Sequence, residues 1–317
     1  MQLFFTKGDL TMGNDFQLTR VELDAALNQF AVNKWREAIR AKTENELSKY
    51  ALRIIALITL LLKDTEQENL IIDMKYLEGF IGQHGGTVRD QILKALTELT
   101  KTKYGVYQDD ILVTQMMYLR DFIYDTKTNK ITLSLDRASS QYLFNTEGGY
   151  GKILWIYTFG MKSKYGQKLY ELIVLEKFRK TKYFTIPIDD LRNMLGLQNK
   201  YPNVANFKKK VLEAGIEDIN QYTPFNLDYK IKNNIISLYI SEKNKIEFEQ
   251  ITKSIMQSKQ ILDIINSYNS IIESDFGITN EEFMKNKEII VSTGYLLGST
   301  PEEKFLLSNT GATEEEE

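Results

Sequence analysis

Apolar residues recur at helical spacing through TENELSKYALRIIALITLLLK (43–63) and again through IDMKYLEGFIG (72–82), where Gly82 ends the pattern. After a Gly85-Gly86 turn, Val88, Ile92, Leu96 and Leu99 fall at i, i+4, i+8 and i+11. TVRDQILKALTELT (87–100) therefore reads as a third helix, with Thr87 as its N-cap. The period then changes. YGVYQDDILVTQMMYLRDFIYDTKTNKITLSLD (104–136) alternates as strands do, with DTKTNK as the turn before ITLSL. Three helices and a strand ribbon make one compact unit.

The second half repeats that order. SKYGQKLYELIVLEKFRK (163–180) is a helix with Ser163 as N-cap and Tyr165, Leu169, Leu172 and Ile173 as its apolar stripe. TIPI (185–188) is extended, and IDDLRNMLGL (188–197) is a short helix with an acidic first turn and Gly196 at its end. The loop QNKYPN leads into a third helix, NVANFKKKVLEAGIEDIN (203–220). FNLDYKI (225–231) and IISLYI (235–240) alternate on either side of KNN, which predicts a β-hairpin. A hairpin after three helices is the winged-helix arrangement. The predicted fold is thus mainly α with small β-hairpins (α+β). It has two tandem winged helices, at 1–140 and 141–245, and an acidic, partly helical extension at 246–317.

Composition narrows the chemistry. At 317 residues and 43% hydrophobic, the chain can bury two cores. Its longest apolar run, LRIIALITLLL (52–62), contains Arg53 and Thr59 and is too short for a bilayer, and MQLFFTKGDL lacks the layout of a signal peptide. A cytoplasmic protein without a membrane partner is expected. There is no cysteine, which excludes disulfides, thiolate zinc sites and a cysteine nucleophile. The one histidine, His84, cannot form a metal-binding pair and reads as a polar residue in a Gly-rich turn. With no phosphate-binding loop and no nucleophile elbow, neither enzyme activity nor a cofactor is expected.

The net charge of −3 conceals a segregation. Residues 1–140 carry −1, residues 141–245 carry +7 and residues 246–317 carry −9. A basic block between neutral and acidic ones is expected of a module that meets a polyanion. Projected at 100° per residue, Val204, Ala205, Val211, Leu212 and Ile216 share an arc with Phe207 and form a core face. The opposite arc collects Asn203, Asn206, Lys209, Lys210, Glu213 and Glu217. Asn can pair with adenine and Lys can reach guanine acceptors, so Asn203, Asn206, Lys209 and Lys210 are the expected base readers in a major groove. Lys208 lies on the flank and is assigned to phosphate. Lys230 and Lys232 in the hairpin, and Lys162, Lys164 and Lys168 at the start of their helix, join it as phosphate contacts. On the equivalent helix of the first unit, Asp90, Gln91, Lys94, Glu98 and Lys101 roughly cancel. Arg89 and Lys94 could add an auxiliary DNA contact there, or that face could meet a partner chain.

The series SKYGQKLYELI, IPIDDLRNMLGL and YPNVANFKKKVLEAGIEDINQYTPFNLDYK resembles the second winged helix of plasmid replication initiators (Rep proteins) of the iteron-binding, theta-replicating type. ELSKYALRIIALITLLL through ITLSLDRASSQYLF is similar to their first. The resemblance spans about residues 40–245 and implies binding to direct repeats (iterons) in double-stranded origin DNA, melting of adjacent AT-rich DNA, and recruitment of the host initiator and helicase. It also implies dimers in equilibrium with monomers, joined through the first domain, and repression of the protein's own promoter. In that family the basic run here formed by Lys208, Lys209 and Lys210 reads bases. This run is all lysine where relatives tend to use arginine, which removes the planar fork. The alternative is a winged-helix transcriptional regulator without an origin role, which would bind one palindrome rather than tandem repeats.

Overall fold

A computed structural model describes residues 30–62, 69–82, 86–108, 111–135, 150–177 and 182–275, of which those up to Ile271 belong to one compact unit. His84, Gly85 and residues 276–317 lie outside the described residues.

The chain enters through strand β1 (Ala31–Trp35), helix α1 (Arg36–Arg40) and the short β2 (Lys42–Thr43). The first winged helix follows: α2 (Lys49–Leu62), β3 (Asn69–Asp73), α3 (Met74–Ile81) and α4 (Gly86–Lys101). Gly82 ends α3 in the left-handed region, at φ 79°, as its sequence position predicted. Helix α4 begins at Gly86, so Thr87 lies inside it rather than at the expected N-cap. The strand ribbon is two hairpins that serve different sheets. β4 (Lys103–Gln108) and β5 (Ile111–Met117) pair with β2, whereas β6 (Asp121–Asp125) and β7 (Lys130–Ser134) pair with β3. Only the second hairpin is the wing.

Strand β8 (Tyr150–Leu154) runs back antiparallel to β1, with Ala31 opposite Leu154 and Trp35 opposite Tyr150. A single turn, α5 (Ile156–Phe159), leads to the second winged helix. This comprises α6 (Lys164–Glu176), β9 (Tyr183–Pro187), α7 (Ile188–Met194), a long helix α8 at 204–222, then β10 (Phe225–Lys232) and β11 (Ile235–Glu242). Sheet orders β3-β7-β6 and β9-β11-β10 are the same pattern in the two halves: the strand after the first helix pairs with the returning arm of the wing. Asn233 and Asn234 turn the second wing with φ 51° and 59°, the left-handed pair that a two-residue type I′ hairpin requires.

Helices α9 (Lys245–Gln257) and α10 (Lys259–Asp275) follow, the first with an Asn244/Glu247 capping box. Up to Ile271 the segment that begins at 246 packs into the same compact unit as the preceding elements. Ile255, Ile261, Ile264 and Ile265 are buried, and the Tyr268 ring lies 5.2 Å from Phe30 and 6.3 Å from Phe80.

Candidate nucleic-acid interface

Helix α8 is held from behind by groups that fix which face it turns outward. Phe207, Val211 and Leu212 are wholly buried. A Cβ placed on Gly215 would lie 2.6 Å from Leu169 Cδ1 and 3.3 Å from the Gly166 amide nitrogen, so glycine lets α8 cross α6 without displacing the Leu169 side chain. Buried Asp218 accepts from the Lys162 amide (2.9 Å) and the Ser163 amide (2.6 Å), closing the N-terminus of α6. Ser163 itself caps that helix by accepting from the Tyr165 amide, as expected. The end of one helix thereby locks the start of the other.

The middle of α8, Lys208–Glu213, is a π-turn flanked by α-helical Val204–Phe207 and Ala214–Tyr222. In a straight α-helix, residues five apart point roughly 140° away from each other. The wider turn brings Lys208 to 3.7 Å from Glu213 and 5.6 Å from the Tyr229 ring, although Lys208 remains about half exposed. Asn206, Lys209 and Lys210 are exposed. Ala205, expected in the core arc, is also exposed and Val204 only half-buried, because the core contact of α8 begins at Phe207. Asn203 caps the helix, its side-chain oxygen accepting from the Ala205 amide at 2.8 Å. That engagement weakens Asn203 as a bidentate reader. In the wing, Lys230 lies over the Tyr239 ring at 5.5 Å and Lys232 is exposed beside the turn.

The basic start of α6 behaves differently. Lys162 is exposed, but Lys164 donates to Glu46 at 2.8 Å. Glu46, on the loop before α2, also accepts from Lys200 (2.6 Å) and from the Tyr165 hydroxyl. Burial alone would raise the Glu46 carboxyl, but these three donors outweigh it and hold the group below its ordinary value. Lys168 is a correction. Its side chain is 14% exposed and faces Glu171 at 3.4 Å, and Glu171 also pairs with Lys34 at 2.9 Å. Burial brings the Lys168 ammonium down to about 8; Glu171 opposes that shift and Lys34 adds to it. Lys168 closes a buried ion cluster with Glu171 and Lys34 instead of presenting its ammonium on the surface.

The same loop fastens the two halves elsewhere. Gly196, at φ 66°, passes so close that a Cβ would meet the Asn45 carbonyl carbon at 2.2 Å. Gln198 donates to the Thr43 carbonyl at 2.9 Å. On α4, Arg89 pairs with Glu78 at 3.0 Å and lies 6.0 Å from the Tyr124 ring, whereas Lys94 is exposed. Glu46, Lys200, Arg192 and Asp218 organise this surface but carry no sequence signal beyond their charge.

Among the described residues no group of His, Cys, Asp or Glu could hold a metal ion, and no helix is long and apolar enough to cross a membrane.

Two winged helices with matching strand order, the second turning a lysine-bearing third helix outward, define a DNA-binding protein of the tandem winged-helix class. Residues 31–174 match the family described as "Initiator Replication protein, WH1", and residues 187–252 match "Initiator Rep protein, WH2". The chain belongs to the initiator Rep protein family. Its fold is similar to that of the Pi initiator protein, solved in complex with iteron DNA, at TM-score 0.52 and 16% identity over 68% of this chain and 99% of that one. Domains 2 and 3 of RctB align at TM-score 0.37 and 10% identity, over 61% and 80% of the two chains. None of the curated proteins compared with the chain matches it.

Proposed function

We propose that this chain initiates plasmid replication by binding directly repeated origin sequences, iterons, in double-stranded DNA. The second winged helix reads bases through Asn206, Lys209 and Lys210, with Asn203 in a lesser role. Lys162, Lys208, Lys230 and Lys232 meet phosphates, and Lys164 can join them when it leaves Glu46. The first winged helix supplies an auxiliary contact through Arg89 and Lys94, and the surface on which a homodimer exchanges with the monomer. The bound protein acts without catalysis, in the cytoplasm. It opens adjacent DNA, recruits the host initiator and helicase, and represses its own promoter. Support comes from family membership and from the likeness to a Rep fold that was solved on iteron DNA.

The observation that carries this reading is the exposed Lys209–Lys210 pair on a helix whose rear face is fixed by Phe207, Val211 and Leu212. Each lost base contact is worth about 1–3 kcal/mol. Lys209→Ala with Lys210→Ala should therefore weaken binding to a duplex carrying the tandem repeats near the gene by at least about 30-fold, with unchanged circular dichroism. A folded double variant that still footprints those repeats at wild-type concentration would overturn the assignment.

A further inference from the structure

The turn that delivers the chain into α8 rests on one side chain the functional reading does not use. Arg192, in the last turn of α7, is 14% exposed and points its guanidinium into the 197–203 loop. One amino group pairs with Asp189 at 2.9 Å. The other donates to two consecutive carbonyls, Tyr201 at 2.8 Å and Pro202 at 3.2 Å. The guanidinium carbon also lies 5.1 Å from the ring of Phe207, the first wholly buried residue of α8. Arg192 thus grips the two residues before the Asn203 cap and the first core anchor after it.

The backbone gives an independent sign that this grip does work. Tyr201 sits at φ 52°, in the left-handed region that non-glycine residues enter at a cost and keep only when neighbours over-determine it. The Tyr201 ring has partners of its own, a hydrogen bond with Tyr165 and the Lys210 ammonium at 5.8 Å, while Arg192 holds the backbone through the carbonyls at and next to that residue. The first domain steadies the loop from the other side, through Gln198 on the Thr43 carbonyl and Lys200 on Glu46. Neither of those contacts touches Tyr201 or Pro202. Both terminal amino groups of Arg192 are spent within the protein and its Nε is buried, which leaves the side chain no outward path to DNA.

We propose that Arg192 is a positioning residue for sequence readout: its planar fork sets where the first turn of α8 lies, and with it where Asn206, Lys209 and Lys210 meet the base edges. This rests on the DNA-reading function proposed above. A geometric error of about an ångström is enough to spoil paired hydrogen bonds to a base edge but leaves attraction to phosphate nearly intact, because Coulomb forces fall slowly with distance. Lysine keeps the charge and can still pair with Asp189, but it lacks two coplanar donor arms.

The test compares wild type, Arg192→Lys and Arg192→Gln on two probes: a duplex enriched by the wild-type protein from a random library, and a scrambled duplex of the same composition. Both variants should lose about 10-fold or more on the enriched duplex and under about 2-fold on the scrambled one, with an unchanged salt slope. In the free protein, hydrogen exchange should quicken at the Ala205 and Phe207 amides in Arg192→Lys while the core of α6 keeps its protection. Equal losses on both probes, full discrimination by Arg192→Lys, or failure of that variant to fold would each overturn the proposal. If the wild type itself fails to distinguish the two probes, the DNA-reading function falls and the positioning role falls with it. If the wild type discriminates and the lysine variant matches it, only the positioning role is lost.

Discussion

The two lysine-rich helix starts of the second winged helix look alike as sequence and differ as structure. At α6, Lys164 and Lys168 meet carboxylates of the protein itself, Glu46 and Glu171. At α8, Lys209 and Lys210 are exposed on a face whose reverse side is packed. The same residue type in the first half of a helix serves internal cohesion in one case and is open to a polyanion in the other. What decides between them is where acids lie in the fold: Glu46, on the loop before α2, is far from Lys164 in the chain, and Glu171 is one turn from Lys168 on α6 itself. A block charge of +7 therefore overstates the cation surface, because part of it is neutralised within the fold.

That contrast can be broken most forcefully at Glu171. Its replacement by Ala would leave Lys34 and Lys168 buried without their shared acid, and removing one member of such a cluster destabilises by about 3–5 kcal/mol. Urea unfolding should show that loss. By contrast, Lys168→Ala should leave DNA affinity per folded molecule unchanged. If Lys168→Ala instead weakens DNA binding at full stability, the division between inward and outward lysines fails.

A smaller effect should appear at Glu46. Its carboxyl titrates lower in the fold than in the unfolded chain, so the stability it contributes is complete above the ordinary glutamate value and is lost as pH falls through the folded one. Wild type should lose stability between about pH 6 and about pH 3 more steeply than Glu46→Gln. Parallel acid limbs for the two proteins would remove Glu46 from the junction. The smallest change is expected at Lys232→Ala on the second wing, where one phosphate contact corresponds to a salt-slope reduction of about 1 across all duplexes. An unaltered slope would take the wing off the DNA.

Much of this scaffold was legible in the sequence. The apolar spacing located α2, α3, α4, α6 and α8, the acidic first turn and Gly196 located α7, and the Asn-Asn turn located the second wing. Ser163 and Gly82 mark helix ends by residue type alone, since a hydroxyl acceptor and a missing Cβ are local requirements. What escaped depends on pairing between distant segments. Nothing in YGVYQ or DFIYD says that the two hairpins join different sheets, and nothing in YGKIL says that it pairs with AVNKW. The 100° projection predicted the outer face of α8 but not its π-turn, because a widened turn is stabilised by packing and by contacts such as Lys208–Glu213 rather than by residue type. Lys168 was misplaced for a similar reason: its partner Glu171 is nearby in sequence, but the second cation on that acid, Lys34, comes from the far strand β1.

The pairing of Ala31 with Leu154 carries a consequence for how the molecule is made. During synthesis, β1 emerges with a row of unanswered amides and carbonyls and must wait until the whole first winged helix and the following connection have been translated. Closing that long loop is slow compared with forming α2 or α4. The N-terminal half cannot finish alone; the ribosome must already have released the segment that leads into its twin.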